Sequence, residues 1–192
     1  LNMGLAGFVI SAVAIRFVYP AVSIEGKSFW IIRSAPISIE RLLWSKFWMY
    51  LVPLIVLSEI LIVLSNWFLN VSGFMMGLSI VTMAFLTAGI VGLGIGLGAV
   101  YPRFFVENVA KIATGYGAIL YMVLAMGFIA LAVFLEAWPV NVIFMSHFAG
   151  IEIHASRWVL VVCALALVAV LSLAVCVVPM RLGVRHLEAR EG

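Results

Sequence analysis

The chain has 192 residues, 66% of them hydrophobic and 10% charged, with a mean hydropathy of +1.27 and a net charge of +3. Water-soluble domains run at about 25% charged and 45 to 50% apolar residues, so this composition excludes an ordinary globular domain and points to lipid. The pI near 9.1 would suit nucleic acid, but the basic residues gather at the ends of apolar runs, where a membrane protein keeps its cytoplasmic charge.

A bilayer core of about 30 Å takes roughly 20 apolar residues in a helix, and five runs reach that length. Each must be helical, because backbone amides in lipid find partners only within their own segment. The expected fold is therefore an all-α integral membrane protein, a polytopic helix bundle with five transmembrane helices in one domain over residues 1–192.

The first run extends from Leu1 to about Tyr19 and stops at Pro20, with Arg16 close enough to one interface to anchor there. No basic stretch precedes it and no small-residue cleavage site follows, so it does not read as a signal peptide. The second goes from about Phe47 to Phe68 and carries Glu59, the one acidic residue placed deep in a span. A carboxylate in hydrocarbon is costly, so Glu59 should face the bundle interior, protonated or paired, or else handle substrate or protons. Pro53 could kink that helix.

The third run, Gly73 to Val100, contains GIVGLGIGLG. Gly92 with Gly96, and Gly94 with Gly98, are four apart and put small surfaces on neighbouring helical faces, which favours close helix packing. The string lacks the G-x-x-x-x-G-K-[ST] of a phosphate loop, and no such loop occurs elsewhere, so ATP hydrolysis is expected from another chain. The fourth run covers about Ile112 to Leu135, closed by Glu136 and Trp138-Pro139, and the fifth about Trp158 to Val178, closed by Pro179. Cys163 and Cys176 both lie on the fifth. Thirteen helical residues set them about 20 Å apart, so they read as small packing residues and not as a disulfide.

Orientation follows from charge. Arg16, Lys27, Arg33, Arg41 and Lys46 fall before or within the first connector, Arg103 and Lys111 in the third, and Arg181, Arg185 and Arg190 in the tail. The alternate links hold Arg157 alone. The first connector, the YPRF link and the C-terminus are thus expected on the cytoplasmic side, with residue 1 outside. Five spans with an external start also predict at least one earlier span upstream.

The connector SIEGKSFWIIRSAPISIERLLWSKFW, Ser23 to Trp48, is more than a tether. Its first part mixes Glu25, Lys27 and Arg33 with the apolar block Phe29 to Ile32, a pattern that lies along a membrane surface. After Pro36, Ser38 is placed to cap a helix that leads through Glu40, Trp44 and Lys46 into the second span. The residues alone allow either simple interfacial anchoring or a docking surface that passes force into that span.

RFVYPAVSIEGKSFWIIRSAPISIERLLWSKFW, Arg16 to Trp48, resembles the membrane subunits of bacterial ABC exporters of the type 2 permease class, and GLGAVYPRFFVENVAKIATGYGAILYM, Gly96 to Met122, is similar to the stretch after their fourth span. The resemblance covers about a third of the chain. It implies spans 2–6 of a six-span domain, a cytoplasmic coupling segment at residues 23–46, and an external, re-entrant hairpin at residues 136–157. On the same footing it implies an ATPase-coupling interface at Glu25, Gly26, Lys27, Trp30, Arg33 and Pro36. A second cytoplasmic link follows at Pro102, Arg103, Phe104, Glu107 and Asn108; of these, Arg103, Glu107 and Asn108 read from the residues alone as a cap on the fourth span. The function implied is export of an unidentified substrate across the bacterial inner membrane. Partners would be a cytoplasmic ABC ATPase holding ATP and Mg, a second permease domain, and membrane lipids, with no nucleic acid and no cofactor on this chain.

Other chemistries find thin support. The absence of Asp removes aspartyl proteases, and neither G-x-S-x-G nor H-E-x-x-H occurs. His147, Glu152 and His154 match no zinc signature, so no metal site and no catalytic residue is expected. An intramembrane enzyme, resting on Glu59 and those histidines, and a passive channel or structural subunit are the alternatives.

Overall fold

The computed structural model describes residues 2–28, 38–103, 109–149 and 155–189, and among them there is no strand. Helix α1 (Asn2–Phe17) leads into two 3-10 turns, Tyr19–Ala21 and Ser23–Ser28. Then come α2 (Ile39–Phe68), α3 (Gly73–Val100), the single turn α4 (Val109–Ile112), α5 (Tyr116–Ala149) and α6 (Ala155–Ala189). Five of these are long and apolar enough to cross a membrane.

Helix α2 begins where its sequence says it should. The Ser38 side chain accepts a hydrogen bond from the Arg41 backbone N–H at 3.4 Å, and Glu40 lies in the first turn, where a negative charge complements the helix dipole. Along its length the helix has two apolar faces. Leu43, Phe47, Leu51, Leu54 and Ile62 are buried, whereas Trp48, Val52, Val56, Ile60 and Leu64, spaced by four, are all more than half exposed. An outward stripe of that kind is a liability in water and a match for acyl chains. Pro53 lies inside the helix without ending it. Beyond Leu69, Asn70 takes a left-handed backbone with φ 49°, and the chain reverses into α3.

Helix α3 is the axis. It packs against α1, α2, α5 and α6, and its contact with α6 is the most extensive in the molecule. Glycine makes this possible, because a side chain would hold the backbones apart. A Cβ on Gly92 would overlap Cys176, and one on Gly96 would overlap the Pro179 backbone, both on α6. From the other side, a Cβ on Gly183 would fall 2.8 Å from Ala99 Cβ and 2.9 Å from the Gly96 carbonyl oxygen. Gly94 and Gly98 serve a different neighbour: they face Val18 and the Tyr19 carbonyl, so the end of α1 seats against the same helix.

Three boundaries differ from the sequence expectation. The fourth span starts at Tyr116, since Val109–Ile112 is a separate turn that breaks at Gly115. Its helix then runs through Glu136 and Trp138-Pro139 to Ala149. The last helix passes through Pro179 to Ala189, ten residues beyond the proline that was expected to close it. A proline removes one helical hydrogen bond but its fixed φ fits the helix, so tertiary contact can carry the helix past it. At Pro179 that contact is the close approach to Gly96. Of the expected hairpin at 136–157, residues 150–154 lie outside the described residues.

Candidate functional site

At the basic end of the bundle, the two connectors rich in positive charge meet. Lys46, two turns into α2, pairs through Nζ with the Glu25 carboxylate and donates to the Ala21 carbonyl at 3.1 Å. The side chains of Lys46 and Glu25 are only 12% and 18% exposed, so water competes weakly for the pair. The backbone N–H of Arg103 donates to the Ser23 hydroxyl at 3.1 Å, which joins the YPRF link to the same turn. Ser23 is 4% exposed, and the preceding Tyr19, Ala21 and Val22 are buried.

Aromatic rings and glycines lock the underside of this junction. Tyr19 and Tyr121 have ring centroids 6.0 Å apart, and the Tyr121 hydroxyl donates to the Ser11 carbonyl at 3.4 Å. Tyr101 and Tyr116 meet edge to face at 5.9 Å. Gly117 lies so close to the Tyr19 hydroxyl and to Tyr101 that no Cβ fits there, and the Arg103 guanidinium lies over Gly115. The Ser23–Ser28 turn is thus bonded to α2 through Lys46 and to the end of α3 through Arg103, and the neighbouring Tyr19–Ala21 turn meets α5 at Tyr121.

Of the residues the sequence singled out, Glu25, Pro102 and Arg103 come together here. Gly26 and Lys27 continue the Ser23–Ser28 turn. Trp30, Arg33, Pro36, Phe104, Glu107 and Asn108 lie outside the described residues, as do Glu152 and His154. His147 falls within α5. No cluster of metal-ligating side chains occurs among the described residues. Arg16 is exposed near the end of α1.

Glu59 has both carboxylate oxygens shielded and without a hydrogen-bond partner. A second acid within the bundle escaped the sequence reasoning. Glu136 is 4% exposed and accepts a hydrogen bond from Thr82 Oγ1 on α3. Its position beside Trp138-Pro139 suggested the end of a span, and only its partner, 54 residues earlier in the chain, reveals it as an interior group. Other polar pairs tie the helices at the opposite end: Asn2 Nδ2 donates to Asn66 Oδ1 at 2.9 Å, and Ser65 Oγ to Asn2 Oδ1 at 2.5 Å. Deeper down, Thr87 Oγ1 donates to Ser58 Oγ at 3.0 Å.

A family model described as "Putative ATP-binding cassette" matches residues 1–191. The chain belongs to that family. No curated protein and no solved structure matches it.

Membership in the ATP-binding-cassette family corrects three expectations. The sequence alone points to the permease subunit of an exporter; the matched family is described by an ATP-binding cassette and not as a permease. The exporter function drawn from the permease resemblance falls with it. So do the partners assigned on that basis, a separate cytoplasmic ATPase and a second permease domain. The permease resemblance covers two segments at one end of the bundle, and the phosphate-loop pattern is one short string, whereas the family match takes in the chain almost from end to end. The link to ATP-binding-cassette transport itself stands.

Proposed function

We propose that this chain is a membrane-embedded, helical member of an ATP-binding-cassette transport system. One observation carries the proposal: a single ATP-binding-cassette family match over residues 1–191 coincides with five helices of membrane-spanning length. The helices cross the bacterial inner membrane with the C-terminus and the Ser23–Lys46 segment in the cytoplasm and residue 1 outside, as the bias in basic residues favours. The part played by the chain is mechanical, and no catalytic residue is assigned to it. The junction of Glu25, Lys46, Ser23 and Arg103 is the coupling element, because a force on the turn reaches α2 through Lys46 and the end of α3 through Arg103. ATP enters through the family's description; a conformational change driven by it needs a difference in binding free energy between two states of the bundle.

Single cysteines at Ile24 and Ser72, both exposed, in a background lacking Cys163 and Cys176, test the proposal in native membranes. An impermeant maleimide applied from outside should label position 72 and spare position 24. Addition of ATP with vanadate to inverted vesicles should then change the labelling rate at 24 severalfold. Labelling of position 24 from outside, or extraction of the protein by alkaline carbonate, sinks the membrane arrangement; a rate indifferent to ATP sinks the coupling role.

A further inference from the structure

A cavity of about 500 Å³ opens between the first turns of α2 and the last turns of α6. Glu40 and Trp44 line it from α2, and Met180, Arg181, Arg185 and Glu188 from α6. The arrangement follows from helical spacing: Glu40 and Trp44 are four apart, while Arg181, Arg185 and Glu188 recur at i, i+4 and i+7 and so share one face. Met180, 2% exposed, gives the cavity an apolar floor.

The charged groups are open to solvent. Among the described residues the one ion pair is that of Lys46 with Glu25, so both arginines and both glutamates of this cavity stand without a salt-bridge partner. All four are exposed to solvent, and two positive and two negative groups around a space of small-ligand size suit a guest that carries both signs. Resting on the membrane reading above, which puts this end of the bundle at the lipid–water interface, we infer that the cavity binds the phosphoethanolamine headgroup of a zwitterionic phospholipid. Arg181 and Arg185 take the phosphate, which a planar guanidinium fork matches in bidentate fashion. Glu40 and Glu188 take the ammonium, whose three N–H donors need acceptors. The Trp44 ring stands at headgroup level, and the Met180 floor meets the glycerol end.

Two neighbouring lipid classes are disfavoured by the same groups. A trimethylammonium headgroup has no N–H to offer the carboxylates, and a headgroup with phosphate alone leaves two carboxylates facing an anion. The cavity should therefore discriminate by the hydrogen-bonding capacity of the amine.

The full chain, reconstituted into nanodiscs and shown to be inserted, is released into detergent and its retained lipid read by native mass spectrometry. The starting mixture is equimolar phosphatidylethanolamine, phosphatidylcholine and phosphatidylglycerol. Phosphatidylethanolamine should be retained severalfold over both others. Retention should fall to background in R181Q/R185Q, and in E40Q/E188Q the preference over phosphatidylcholine should vanish while phospholipid still binds. Without any mutation, stepwise N-methylation of the ethanolamine should weaken retention in stages. Equal or greater retention of phosphatidylglycerol by the unmutated chain, or indifference to N-methylation, overturns the assignment. Failure of the chain to insert would instead overturn the membrane reading on which it rests.

Discussion

Lys46 Nζ sits between the Glu25 carboxylate and the Ala21 carbonyl, so one side chain of α2 holds the two turns that follow α1. A pair on the open surface is worth about 0–1 kcal/mol, and breaking a fully buried one costs about 3–5 kcal/mol. With side-chain exposures of 12% and 18% the pair lies between these limits. Lys46→Met should lower stability by about 2 kcal/mol, seen as a reduced melting temperature in detergent. The exchange Glu25→Lys with Lys46→Glu should recover part of this loss and not all, because a glutamate has no proton to donate to the Ala21 carbonyl.

The contact between α3 and α6 makes a sharper prediction. Gly96→Leu places its side chain against the Pro179 backbone, which cannot step aside as a rotamer can. Overpacking of a core costs about 1–3 kcal/mol, and here it must also separate two helices. The variant should melt early, read as a lowered melting temperature in detergent. Gly77→Ala in the same helix has nothing within 4 Å of the new methyl and should be neutral or mildly stabilising.

Thr82→Val keeps the shape of the threonine and removes the donor that reaches Glu136. An unsatisfied buried group costs about 1–3 kcal/mol. The variant should lose stability in that range, and adding Glu136→Leu should restore much of it, since removing both polar partners is nearly neutral. A double-mutant cycle on thermal unfolding checks the pair; strictly additive losses would show that the two side chains do not interact.

Asn70 is the one non-glycine residue with positive φ among the described residues. Left-handed backbone costs a branched side chain about 1–2 kcal/mol, while glycine adopts it freely. Asn70→Val should therefore destabilise the α2–α3 turn by about that amount, and Asn70→Gly should leave the melting temperature unchanged.

Much of the fold is legible in the sequence because long apolar runs narrow the choices. The ends of α3 at Gly73 and Val100 follow from Asn70 and Ser72 before it and Tyr101-Pro102 after it, and the cap at Ser38 follows from a local hydrogen bond. Pro139 and Pro179 mislead because their effect depends on what packs alongside, which no local pattern contains. The site divides in the same way. Glu25 and Arg103 stand out by their position in charged links, but the partners that join them, Lys46 and Ser23, are set by the fold. Glu136 stays hidden for want of any nearby sign that Thr82 would meet it.

Backbone meets backbone where α3 crosses α6, with glycine on one side and Pro179 and Cys176 on the other. At these glycines no side chain stands between the two backbones. The two helices must then travel as one stiff plank, and any change of shape in this chain has its seams along the plank's outer edges, where α1, α2 and α5 lean on it.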